Sequence, residues 1–237
     1  NTEGKCNSGG FNCWAYTITH RFAGRYPNGF NPTIYPEALL SPLYLKKPSR
    51  ILCVFMGDLF WDCPEFDPDR IIEVKTDTGF VDHDTLKAWI FNAIRYSPQH
   101  TFLFLTKQPQ NLIKFSQFPD NCYVGVSATN AEMFMRACSD LEEVRAKVKY
   151  LSIEPFLDWS FNWSPSYLVN SLQRAKIKWV IIGAQTKPYK PPLKIWVDEI
   201  TEACKKANIP YFLKNNLRPL MGDNLVQDMP RGVEIDH

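Results

Sequence analysis

The 237 residues are 45% hydrophobic and 14% aromatic, and 27 Lys and Arg against 25 Asp and Glu leave a net charge of +2. This composition fits a globular chain with a sizeable core. The near balance of charge gives no electrostatic case for a membrane surface and leaves a nucleic-acid partner unsupported. The length suits one domain, and α/β barrels routinely reach this size as a single unit.

Seven cysteines, Cys6, Cys13, Cys53, Cys63, Cys122, Cys138 and Cys204, form an odd and irregularly spaced set. With no signal peptide ahead of them, they argue against a secreted disulfide framework and for a reducing, cytoplasmic setting. No apolar run is long enough to span a membrane. The chain opens on Asn1 without an initiator Met, so a leader or a first strand is expected to be missing from the N-terminus.

In chain order, the first notable stretch is Cys6 to Tyr16. Two cysteines flank a loop with two glycines, in the spacing C-x3-G-x2-C. A cysteine at position 10 would make it C-x3-C-x2-C, and thiolates so spaced in a glycine-bearing loop can wrap one face of an iron–sulfur cluster. Gly10 occupies that third ligand position. A zinc site on Cys6 and Cys13, completed by His20 or Cys63, is a rival, although neither completion has motif spacing.

Residues Trp14 to Ala23 read as a helix, Gly24 to Pro36 as a loop and Glu37 to Tyr44 as a short helix. The basic turn Lys46 to Arg50 leads into an apolar run, Ile51 to Met56, of the kind buried on both faces of a parallel sheet. After a long insertion, Asp82 to Tyr96 reads as a helix. Strands then follow at Thr101 to Leu105, Cys122 to Val126, Val148 to Ile153, Trp179 to Ile182 and Pro210 to Leu213. Helical stretches separate them at Gln110 to Phe115, Ala131 to Val144, Leu168 to Ala175 and Trp196 to Ala207. Short apolar strands alternating with helices predict an α/β fold with a parallel sheet of six visible strands. An open doubly wound sheet and a partial barrel both fit that pattern. Residues 1–217 read as one domain and 218–237 as an irregular C-terminal tail.

Parallel α/β folds place their sites beyond the C-terminal strand ends. Those positions hold Gly57 and Asp58, Thr106 and Lys107, Ser127, Thr129 and Asn130, Glu154, Gly183 and Gln185, and Lys214 with Asn215 and Asn216. A charged residue directly after an apolar run is costly unless paired or functional, as for Asp58, Lys107, Glu154 and Lys214. A common polar mouth is the expectation.

The sequence resembles the phage-associated radical S-adenosylmethionine (SAM)-like protein family, encoded beside three-cysteine-motif partner proteins. The matching stretches are the Cys6–Tyr16 loop, Met56–Phe60, Pro98–Phe102, Leu105–Lys107, Val124–Ser127, Ser152–Pro155, Trp179–Gly183 and Phe212–Lys214. The resemblance implies a partial, TIM-like parallel (βα) barrel of the radical SAM type. It also implies a 4Fe–4S cluster on the Cys6–Cys13 loop, SAM as cofactor, its cleavage to a 5′-deoxyadenosyl radical, and a possible three-cysteine-motif partner. SAM chemistry then suggests roles. Asp58 and Glu154 would accept from the ammonium or ribose hydroxyls, and Lys107 or Lys214 would pair with the carboxylate. Ser127, Thr129 and Gln185 would bond ribose or adenine, and Gly57 and Gly183 would let the backbone approach. Two residues depart from the family pattern: Gly10, and Gln185 where a Glu is expected. The competing reading is a non-catalytic barrel relative that binds a partner or small ligand without a cluster. Phe60, Trp61 and Lys190 stand near the expected mouth and would suit a nucleobase, or simply pack its rim.

Overall fold

A computed structural model of the chain describes residues 13–26, 29–30, 36–60, 83–160 and 164–230. Its elements in order are α1 (Trp14–Arg21), a 3-10 segment Pro36–Tyr44, β1 (Arg50–Cys53), α2 (His83–Arg95), β2 (Thr101–Thr106) and a 3-10 segment Pro109–Phe115. There follow β3 (Cys122–Ser127), α3 (Ala131–Glu143), β4 (Val148–Ile153), α4 (Pro165–Arg174) and β5 (Ile177–Ile182). A small hairpin, β6 (Gln185–Thr186) and β7 (Tyr189–Lys190), precedes α5 (Lys194–Lys206), β8 (Tyr211–Leu213) and α6 (Arg218–Met221).

Local chemistry explains the main helices. Asn130 caps α3 by accepting from the Met133 amide at 2.8 Å, and Phe134, Ala137, Cys138 and Leu141 form its buried stripe. Ser164 caps α4 and Pro165 opens it, a start signal that moves the helix three residues ahead of the expected Leu168. On α5, Val197, Ile200, Thr201 and Cys204 are buried at helical spacing.

The main sheet runs β1-β2-β3-β4-β5-β8, and every neighbouring pair is parallel. Spatial order equals chain order, so there is no reversal of the kind that defines a doubly wound sheet. Right-handed crossovers that always step the same way put their helices on one face. The core divides accordingly. Phe102, Phe104, Val124, Val126, Leu151, Val180 and Ile182 share the larger cluster with the helices. The alternate strand residues Leu103, Tyr123, Val148, Tyr150 and Trp179 form a second cluster with Phe55, Leu105, Ile181, Phe212 and Met229, to which no helix contributes among the described residues.

One expectation is corrected. The first strand does not reach Met56. Val54 takes a left-handed φ of 54°, and the Gly57 amide donates to its carbonyl at 3.1 Å, so the run turns after Cys53. Turning lets Phe55 pack into the second cluster.

The tail has no regular element beyond α6 among the described residues, but a single bridge, Gln227 with Phe212, ties it to the sheet. The Leu213 amide donates to the Val226 carbonyl at 2.8 Å, and the Asp228 amide to the Tyr211 carbonyl at 3.1 Å, so 226–228 runs antiparallel along the free edge of β8. Trp179 Nε1 then donates to the Asp228 carbonyl at 2.8 Å, and Met229 joins the second cluster with its sulfur 3.9 Å from Arg50 Nη1. The tail therefore reaches from β8 past the start of β5 to the start of β1. No described helix is long and apolar enough to cross a membrane.

Candidate functional site at the strand ends

The sheet face opposite the helices carries polar residues at its C-terminal end. Strand alternation puts Ser127 and Ser152 on that face, and the register places them side by side. Both are buried, at 6% and 5% exposure. Ser152 was not anticipated from the sequence, because it sits inside the apolar run of β4; its register with Ser127 is the signal that finds it.

Directly beyond lie Glu154, Gly183 and Lys214, at the ends of the adjacent strands β4, β5 and β8. Lys214 Nζ donates to both Glu154 oxygens, at 2.6 and 2.8 Å. The pair closes across β5 because Gly183 has no side chain: a Cβ there would stand 2.9 Å from Glu154 Oε1 and 3.0 Å from Lys214 Cδ. Their side chains are 25% and 42% exposed, so the charges face solvent at the mouth.

The other expected residues divide. Asp58 turns toward its neighbours on β2. It accepts from Thr106 Oγ1 at 2.7 and 2.8 Å, from the Lys107 amide at 2.9 Å and from the Phe60 amide at 3.1 Å. Burial raises its pKa, while these bonds and the Lys107 charge pull the other way. Asp58→Ala is therefore expected to leave three donors without their acceptor and to cost about 2–3 kcal/mol of stability in urea denaturation. An unchanged midpoint together with much weaker SAM binding would instead assign the carboxylate to a ligand.

Thr129 is buried and donates to the Met133 sulfur at 3.2 Å, while its carbonyl accepts from the Leu157 amide at 2.9 Å. Gln185 donates to the Pro188 carbonyl at 2.9 Å and closes its own hairpin. Asn216 locks that hairpin to β8 through a reciprocal pair with the Ala184 backbone, at 2.8 and 3.1 Å. Gly57 closes the turn after β1. Phe60 packs in the core against Phe104 and Phe115, and Lys190 is exposed on the hairpin.

Residues 4–218 match the family described as protein of unknown function (DUF5131). The chain belongs to that family. No curated protein and no solved structure matches it.

In this DUF5131 chain the metal question rests on the N-terminal loop. Cys6, Gly10, Trp61 and Cys63 lie outside the described residues. Cys13 is a half-buried free thiol immediately before α1. Tyr26, after that helix, donates to the Met56 sulfur at 3.5 Å, which sets this segment beyond the C-terminal end of β1. His20 is exposed, and its Nδ1–H donates to the Tyr16 carbonyl at 2.8 Å. Among the described residues no three His, Cys, Asp or Glu side chains are grouped to hold a metal ion. Burial pushes the thiols of Cys53, Cys122 and Cys204 up to about 12 and raises Cys138 as well, so these four stay protonated at neutral pH and serve packing.

Proposed function

We propose that the chain is a partial, TIM-like parallel (βα) barrel of the radical SAM type, and that its strand-end mouth binds SAM. The sequential strand order and the helices gathered on one face support the barrel reading. The observation that carries the binding reading is the Glu154–Lys214 pair spanning Gly183, with Ser127 and Ser152 beneath it. An amino-acid head group carries one ammonium and one carboxylate. Inserted between the pair, it exchanges one Lys–Glu contact for two charge-assisted contacts of the same kind and leaves the net charge of the mouth unchanged. The two serine hydroxyls would hydrogen-bond the ribose hydroxyls of SAM.

The cluster fits less well. A cluster held by three loop thiolates needs a third donor where Gly10 stands, and the described residues offer no substitute group. Reductive cleavage of SAM is therefore not assigned to this chain. With Gly10 in place, the reading is of a ligand-binding relative.

Isothermal calorimetry with SAM tests the reading. The native chain is expected to bind, and Glu154→Gln and Lys214→Met are each expected to weaken binding at least about 10-fold, the effect of losing a charge-assisted hydrogen bond worth roughly 1.5–3 kcal/mol. Both positions are solvated enough for the variants to fold. Absence of binding by the folded native chain would overturn the proposal.

A further inference from the structure

A cavity of about 880 Å³ lies at the other end of the sheet, where β4 and β5 begin. Five cationic side chains line it: Arg145 and Lys147 from the α3–β4 connection, Lys149 on β4, Lys176 from the α4–β5 turn, and Lys178 on β5. Two carboxylates, Glu142 and Glu143, also line it, and Glu142 is already held by Arg174 at 2.9 Å. The cavity thus carries an excess of positive charge in a chain whose total is only +2.

Lys149 marks the floor. It is 3% exposed, with its ammonium donating to the Leu141 carbonyl. Burial, then the nearby Lys176, lower its pKa to about 8. Gathering like charges in a concave site over a buried lysine is unfavourable without a counter-charge, and such a cavity focuses the field on an anion. No aromatic side chain lines it, so there is no platform on which a nucleobase would stack. Its volume lies within the range of small-molecule sites.

We propose that this cleft binds the polyphosphate group of a soluble ligand, by charge and hydrogen bonds to phosphate oxygens alone. The exposed Arg145, Lys147, Lys176 and Lys178 would grip the outer oxygens. Lys149 supplies a buried charge beneath them. The site is separate from the strand-end mouth, and ligand binding at either end does not depend on the other.

The probe is inorganic triphosphate in isothermal calorimetry, with ATP and a single-stranded oligonucleotide as further arms. Triphosphate is expected to bind and to weaken as salt rises. The exposed double substitution Lys147→Glu with Lys178→Glu is expected to reduce affinity at least about 10-fold, since each reversal replaces an attraction with a repulsion. Lys190→Glu, on the exposed hairpin beyond the opposite end of β5, should leave it unchanged. The double variant should keep native SAM binding, which reports its folding. If it fails to fold, Lys147→Gln alone should still give a measurable loss. ATP binding as tightly as triphosphate assigns the cleft to a nucleotide's phosphate tail, and much weaker ATP binding assigns it to free polyphosphate. No heat with triphosphate, binding indifferent to the double substitution, or an oligonucleotide that triphosphate cannot displace would each overturn the proposal.

Discussion

Gly125→Ala is expected to destabilise the chain by about 3–5 kcal/mol, combining overpacking with a lost buried hydrogen bond. Gly125 on β3 is the register partner of Tyr150 on β4. The Tyr150 ring lies directly over it, so that an added Cβ would fall within the ring. From there the Tyr150 hydroxyl reaches past β3 and donates to the Phe104 carbonyl of β2 at 2.8 Å. One side chain thus spans three strands, and the glycine is what lets it lie flat. The ring is 1% exposed and stands against Trp179 at a centroid separation of 5.7 Å, which leaves it no vacant place. Against a typical stability of roughly 5–15 kcal/mol, such a loss removes a large share of the total. Tyr150→Phe should cost only about 1 kcal/mol, the hydrogen bond alone. Combining Gly125→Ala with Tyr150→Leu should cost less than the sum of the two single changes, because removing the ring removes the clash. Urea denaturation of the native chain and these four variants provides the values. A near-neutral Gly125→Ala would show that the ring does not lie over the glycine.

Gly10→Cys is expected to turn a chain with little bound iron into one that holds about four irons, the content of one 4Fe–4S cube. With Gly10 the loop offers Cys6 and Cys13, and a cube on two thiolates leaves two irons open to water and oxidant. The substitution restores C-x3-C-x2-C. Anaerobic reconstitution of both forms, followed by iron and sulfide analysis and visible absorption, decides the matter. About four irons on the unsubstituted chain would show that another ligand completes the set. No cluster on either form would leave only the ligand-binding reading. A colourless protein carrying zinc would favour the two-cysteine zinc site instead.

Much of the fold was legible because each strand is a short run apolar on both faces, and burial in a parallel sheet requires that of any sequence. The misjudged strand end fell where local propensity lost to something distant. Val54 looks like the middle of a strand, yet it turns so that Phe55 can reach a cluster formed by strands far along the chain. The tail is irregular, and its place is set by the edge of β8, to which 226–228 adds as an antiparallel segment. Its own residues carry no strand pattern.

The candidate site divides in the same way. Chain order alone placed Asp58, Lys107, Glu154 and Lys214 after apolar runs, and hence at one end of a parallel sheet. The residue types of the Cys6–Cys13 loop, with Gly10 between them, likewise need no structure to be read. Which charges meet depended on strand order. Glu154 and Lys214 are 60 residues apart and touch only because β4, β5 and β8 are neighbours and Gly183 leaves the space between them open. Asp58 carries the same formal charge as Glu154, but it is spent on the hydroxyl and amides that β2 brings alongside it. The basic cleft was invisible in a net charge of +2, because two connections and the starts of β4 and β5 had to converge before their cations shared one cavity. A sequence specifies which groups are charged and how often they recur. Their pairing is a matter of distances across the sheet, and only the folded chain sets those.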